Sequence, residues 1–240
     1  MRTPELVAAL AEIDVVFNGE ASRAEFGCAR HCCTAEDAAY LRTPHTRLPA
    51  ELLNRFLHKS PQHFADHAAA MRRLLPQSAH ALADGTLEDA GWMPLGLSRV
   101  DWRSWRGPQA RAVEAFFGAW WREALGAAEP PYPVRDIFEI CCSVLGEAAP
   151  LLAAWEAGPE ADAHVADCVE WWSDDLLADR WPFTWWRPDD EPRARAELQT
   201  WLGERAPARL RPLGLTDLAD RTALLALPYD ARWNDPYWSR

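Results

Sequence analysis

Apolar residues recur along this chain three and four positions apart, and almost nowhere do they alternate singly with polar ones over a sustained run. That spacing predicts helix after helix and almost no strand. Thr3-Pro4-Glu5 opens the first helix with a capping hydroxyl and a proline at the first helical position, and Asn18-Gly19 closes it. Thr34, followed by Ala35, Glu36 and Asp37, reads as an N-cap with acidic residues in the first turn. Pro49 opens a helix through Leu52, Leu53, Phe56 and Leu57. Ser60-Pro61 is expected to cap another, in which Phe64, Ala68, Met71 and Leu75 form a single apolar stripe that Pro76 kinks or ends. Gly107-Pro108 starts a helix through Val113, Phe116, Phe117 and Trp120 to Gly126.

The clearest linker is the run Pro130 to Pro133, PPYP. Beyond it two short helices and a long one are predicted, turned by Gly146 and by Gly158-Pro159. Asp190 caps a further helix through Leu198 and Leu202, and Thr216 caps the last. Residues 92–107 and 180–192 are the two irregular stretches. Helices of this length joined by short Gly/Pro turns predict an all-α protein, with antiparallel helix hairpins stacked in a single array and little or no strand. Two halves are expected within one continuous domain: 1–129, carrying a Cys/His cluster, and 134–240, acidic and rich in tryptophan. No internal repeat of fixed period occurs.

Composition adds limits. With 240 residues, 49% of them hydrophobic and 14 of them Trp, the chain has ample material for a core. The N-terminal apolar stretch is interrupted by Glu5, Glu12 and Asp14, unlike a secretory signal, and no uncharged run approaches the ~18 residues of a membrane span. A cytoplasmic location is therefore expected, with reduced cysteines. Lys59 is the one lysine, a bias towards arginine that suggests a GC-rich bacterial genome. Eleven acidic residues and no Lys or Arg lie between Asp136 and Asp179, so the net charge of -11 resides in that segment. It reads as a solvated acidic face, with a docking surface for a basic protein or peptide as the alternative. A nucleic-acid partner, which needs clustered cations, is disfavoured. The chain has no Gly-x-Gly, no glycine loop before Lys59, no His-Glu-x-x-His and no Gly-x-Ser-x-Gly, which argues against the usual nucleotide, zincin and serine-hydrolase sites.

The densest chemistry is the run Cys28-Ala-Arg-His31-Cys32-Cys33, in the loop that feeds the helix capped by Thr34. Cys28 and Cys32 are separated by three residues with His31 between them, a spacing at which a loop can fold two or three side chains around one ion. Zinc takes four tetrahedral sulfur and nitrogen ligands, so a second pair is required. His63 and His67, expected one turn apart on a helix begun at Pro61, are the best candidates. Two alternatives stand beside zinc: small thiols packed against a cap, and a nucleophilic or redox-active Cys32 or Cys33 favoured by the helix N-terminus. Cys141, Cys142 and Cys168 fall on apolar helix faces and read as core.

The segment from Cys28 to Lys59, with Thr34, Glu36 and Asp37, Leu41, Pro44 and LPAELLNRFLHK, followed by His63-Phe64 and Leu74-Leu75-Pro76, resembles a group of uncharacterised bacterial proteins. Those share a Cys-x-x-Cys pair, a capped acidic turn and a later His-Phe. The resemblance covers about a third of the chain and implies a recurring unit of unknown function. Here the cysteines have three residues between them rather than two, which leaves His31 or Cys33 open as a replacement ligand.

Trp120-Trp121 and Trp171-Trp172 lie in predicted helices, where adjacent side chains diverge by about 100°, so one of each pair should face the core and the other the boundary. In the irregular stretch RWPFTWWRPDDEP, Trp181, Phe183, Trp185 and Trp186 are candidate contacts for a ligand or partner, or else anchors that pin the loop. Three functions remain. The first is a soluble helical protein that binds a protein or peptide and has a structural zinc site. The second is a metal- or thiol-dependent enzyme built on Cys28, His31, Cys32, His63 and His67. The third is a small-molecule binder with a Trp-lined pocket.

Overall fold

Side-chain caps set where three of the helices begin. The structure, a computed structural model, describes residues 2–27, 33–91, 93, 95–183 and 189–240. Among these residues there are eleven α-helices and no strand, only one isolated bridge between Ala90 and Met93, so the chain is all-α as its periodicity predicts. It divides into two compact units, Met1–Glu123 and Ala124–Arg240, and the division falls inside a helix rather than at PPYP.

In the first unit, α1 (Pro4–Val16) starts where the Thr3 hydroxyl accepts the Leu6 N–H at 3.3 Å, and it buries Leu6, Ala9, Leu10 and Ile13 along one stripe packed on α4. The helix α2 (Ala35–Arg42) has a full capping box: the Thr34 hydroxyl accepts the Asp37 N–H, and the Asp37 carboxylate accepts the Thr34 N–H, both at 3.0 Å. Leu52, Leu53, Phe56 and Leu57 form the buried face of α3 (Ala50–His58), as expected.

The helix α4 (His67–Ala83) departs from expectation at its start. It does not begin at Pro61, because Pro61–His63 is a single 3-10 turn and Phe64 is extended at φ -113, ψ 147. The competing caps explain this. Ser60 makes no capping bond, whereas Asp66 accepts the Ala69 N–H at 2.8 Å and the buried Glu25 carboxylate accepts the N–H groups of Ala65 and Asp66 at 3.1 and 3.0 Å. Nor does Pro76 end the helix. It removes one N–H, but the turns beyond it bury Ser78, Ala79 and Leu82, and that packing carries the helix across the defect.

The helix α5 (Gly107–Gly126) crosses the division between the units. Trp120 and Trp121 are both buried, at 1% and 0% exposed, because the inward surface of α5 covers Val113, Phe116, Phe117 and Ala119 as well and is wider than one stripe. The other pair divides as predicted, with Trp172 buried and Trp171 62% exposed.

The second unit holds α6 (Val134–Leu145), α7 (Ala149–Ala153), α8 (Pro159–Leu177), α9 (Glu191–Leu210), α10 (Thr216–Ala223) and a short α11 (Tyr229–Trp233) that the pattern did not predict. Gly146, at φ 70, ends α6 in a left-handed cap. The helix α9 packs against α8, α10, α7 and the 3-10 turn Leu224–Ala226. A Cβ at Gly203 would lie 2.5 Å from the Ala226 backbone nitrogen, so this mid-helix glycine is what lets that turn approach. Cys141, Cys142 and Cys168 are fully buried, and burial pushes each thiol well above its ordinary range. They are packing residues.

Several carboxylates of the acidic segment pair within this unit. From α8, Asp162 pairs with Arg209 of α9, Asp167 with Arg135 of α6 and Asp174 with Arg221 of α10, and just past its end Asp179 pairs with Arg232 of α11. Arg232 also donates to the Leu176 and Leu177 carbonyls, both at 3.3 Å, at the C-terminus of α8.

Candidate functional site

The second unit has a groove of about 1,040 Å³ between α9 and the stretch from α7 to Ala157. One wall is a face of α9: Arg193, Ala196, Glu197, Thr200, Trp201 and Glu204 fall alternately three and one apart, beside the buried stripe of Ala194, Leu198, Leu202 and Ala206. Those apolar residues fix the helix to the body of the unit, so the neighbouring face looks into the groove. The opposite wall is small, with Ala149, Ala153 and Ala157, and it ends in Trp155.

Trp155 and Trp201 meet as a stacked pair, with centroids 5.2 Å apart and planes at 28°. The Trp155 indole N–H donates to the Ala161 carbonyl at 3.1 Å, which fixes its ring, while Trp201 is half-buried. Arg209 holds the walls together. Its guanidinium stands 5.6 Å over the Trp201 ring and donates to Asp162 at 2.5 Å and to the Trp155 and Glu156 carbonyls, both at 3.1 Å. The groove is thus an aromatic floor set rigidly between two elements.

Its charges are unequally satisfied. Arg209 is neutralised by Asp162, and Arg193 donates to Glu197 Oε1 at 3.1 Å. Glu197 Oε2 is buried with no hydrogen-bond partner among the described residues. Glu156 and Glu204 also line the groove, so three carboxylates border the tryptophans.

The predicted site residues are only partly brought together. Cys28, His31 and Cys32 lie outside the described residues, as do Trp185 and Trp186. Phe183 is in the core, 8% exposed, packed on Phe138 at 5.7 Å and on Trp172 at 5.3 Å, and Trp181 meets it edge-on at 4.7 Å. That end of the stretch anchors the chain. His63 and His67 are not on one helix, since the extended Phe64 separates the 3-10 turn from α4. The Phe64 and His67 rings pack at 5.1 Å. Burial and the nearby Arg99 lower the His67 pKa to about 4, and its Nε2 is buried without a hydrogen-bond partner among the described residues. Among the described residues no group of three or more His, Cys, Asp or Glu is placed to hold a metal ion.

Trp155 and Trp201 were missed by the sequence reading. The signal available was the three-and-one spacing of small, polar and aromatic residues beside the leucine stripe of α9. Comparison with protein-family models, curated proteins and solved structures gives no match. Among the described residues no helix is long and apolar enough to cross a membrane.

Proposed function

We propose that the protein is a helical binding module whose α7/α9 groove takes a basic segment of a protein or peptide partner. The observation that carries this reading is the Trp155–Trp201 stack bordered by Glu156, Glu197 and Glu204. An aromatic face attracts a cation, a buried carboxylate oxygen without a donor favours one, and arginine or lysine stems match the small apolar wall. The α9 face from Arg193 to Ala208 is about 22 Å long at 1.5 Å per residue, the span of six or seven extended residues.

The test is titration of the full chain with a short Arg- and Leu-containing peptide, followed by tryptophan fluorescence, beside a peptide with Glu in place of Arg. The basic peptide is expected to bind saturably, about 30-fold more weakly to Trp201→Ala and more weakly at high salt. Equal binding of the two peptides, or no effect of Trp201→Ala, overturns the reading.

A structural zinc site is a second reading, carried by a separate observation. Glu25 ties the residues leading into Cys28 to the backbone between His63 and His67, and His67 Nε2 is buried without a hydrogen-bond partner among the described residues. Cys28, Cys32, His63 and His67 would hold the ion, with His31 or Cys33 as the replacement ligand. Elemental analysis of protein purified without added metal is expected to find near-stoichiometric zinc, lost alike in Cys32→Ser and His63→Ala. Metal-free protein with unchanged stability in a chelator removes zinc from the account.

A further inference from the structure

The first unit has a cavity of its own, about 790 Å³, within the size range of small-molecule sites. It lies between α1, α4 and residues 45–53, with Phe17, Leu53 and Leu87 as apolar lining. Three carboxylates also line it, and each has a partner. Asp14 shares a hydrogen bond with His80 Nε2 at 3.0 Å, while Glu20 forms ion pairs with Arg106 at 2.6 Å and Arg72 at 3.5 Å, and Asp84 with Arg2. The positive side is different. Arg73, only 7% exposed, uses its guanidinium on the carbonyls of Thr43, at 3.2 Å, and Thr46, and no carboxylate among the described residues pairs with it or with Arg47 at the rim. A buried cation held by dipoles alone leaves positive charge uncompensated at the cavity wall.

The geometry beside it is costly and held on purpose by the fold. His45, which lines the cavity, has a left-handed backbone at φ 64, a conformation unfavourable to a residue with a Cβ. It persists because the flanking chain is clamped to α4 at four points: the two Arg73 bonds, Gln77 Nε2 donating to the Leu48 carbonyl at 2.7 Å, and the Leu48 N–H donating to Gln77 Oε1 at 2.9 Å. The clamp sets His45 and Arg47 at the mouth of a cavity whose interior is partly apolar.

We infer that this cavity binds a small organic carboxylate, its anionic end between Arg47 and Arg73 and its apolar body against Phe17, Leu53 and Leu87. The planar guanidinium fork matches a carboxylate in a way that a neutral hydroxyl cannot reproduce. The site is independent of the groove in the second unit and stands whether or not that groove takes a peptide.

Hexanoate is the probe, titrated by calorimetry into the full chain beside hexan-1-ol and inorganic phosphate. Hexanoate is expected to bind saturably and at least tenfold more tightly than either. Arg47→Gln, an exposed position, is expected to weaken it at least fivefold with an unchanged circular dichroism spectrum, and Ala50→Trp at the rim to block it. Equal binding of the alcohol reduces the site to an apolar hollow, and equal binding of phosphate to a general anion patch. Either result, an absence of saturable hexanoate binding, or indifference to both substitutions overturns the inference.

Discussion

The two units handle buried charge in opposite ways. In the first, Glu25 and Arg73 are each buried singly and matched by backbone dipoles: Glu25 by two N–H groups and the Ser22 hydroxyl, Arg73 by two carbonyls. In the second, the buried arginines Arg209 and Arg232 each have a carboxylate partner as well as carbonyls, and α8 spreads such ties over α6, α9, α10 and the residues of α11. A charge matched by dipoles fixes one loop in one place, so removing it leaves several backbone groups unsatisfied together. A set of partly exposed pairs shares its work, and each pair is weakened by solvent. The first unit should therefore fail at single residues, the second gradually.

The strongest way to break that contrast is at Glu25. Glu25→Ala leaves the Ala65 and Asp66 N–H groups without acceptors at the entry to α4, and it releases the chain before Gly27. A loss of about 3 kcal/mol is expected, the scale of hydrogen bonds to a buried charge whose partners stay buried. Denaturant unfolding checks it. A loss below about 0.5 kcal/mol, the range of ordinary surface substitutions, would mean that water replaces the carboxylate and that the single-point description of the first unit is mistaken.

Much of the fold was legible because helix ends announce themselves locally. Thr3-Pro4, Thr34 with Asp37 and Gly146 each act through residues within four positions of one another. The misreadings are places where distant residues decide. Whether α4 begins at Pro61 or His67 is settled by Glu25, forty residues upstream, and whether it survives Pro76 is settled by the burial of Leu82. The groove was illegible for the same reason: Trp155 and Trp201 are far apart in the chain and become one feature only when α7 and α9 pack. A count of charges along the acidic segment likewise says nothing of the arginines that α6, α9, α10 and α11 pair with Asp167, Asp162, Asp174 and Asp179.

A smaller effect sharpens the other side of the contrast. Asp179 follows the end of α8 and is left-handed at φ 52; its carboxylate receives Arg232 and Gln199, both at 2.6 Å. Burial alone would raise its pKa, but these hydrogen bonds and the charges of Arg232 and Arg195 outweigh it and hold the group below its ordinary value of 3.8. A carboxyl depressed in the folded state contributes stability that is present above that ordinary value and is lost as the pH falls through the depressed one. Between neutral pH and pH 5 the contribution is constant, and below about pH 4 it declines. Because Asp179 is partly exposed and is one of several such ties, its share is modest. In Asp179→Asn the melting temperature is expected to sit slightly below that of the parent at pH 7, with the gap closing as acid is added. A gap that stays constant down to pH 2 would assign the loss to the altered hydrogen bonds with Arg232 and Gln199 rather than to the carboxylate's charge, and the distributed ion-pair account of the second unit would lose its clearest member.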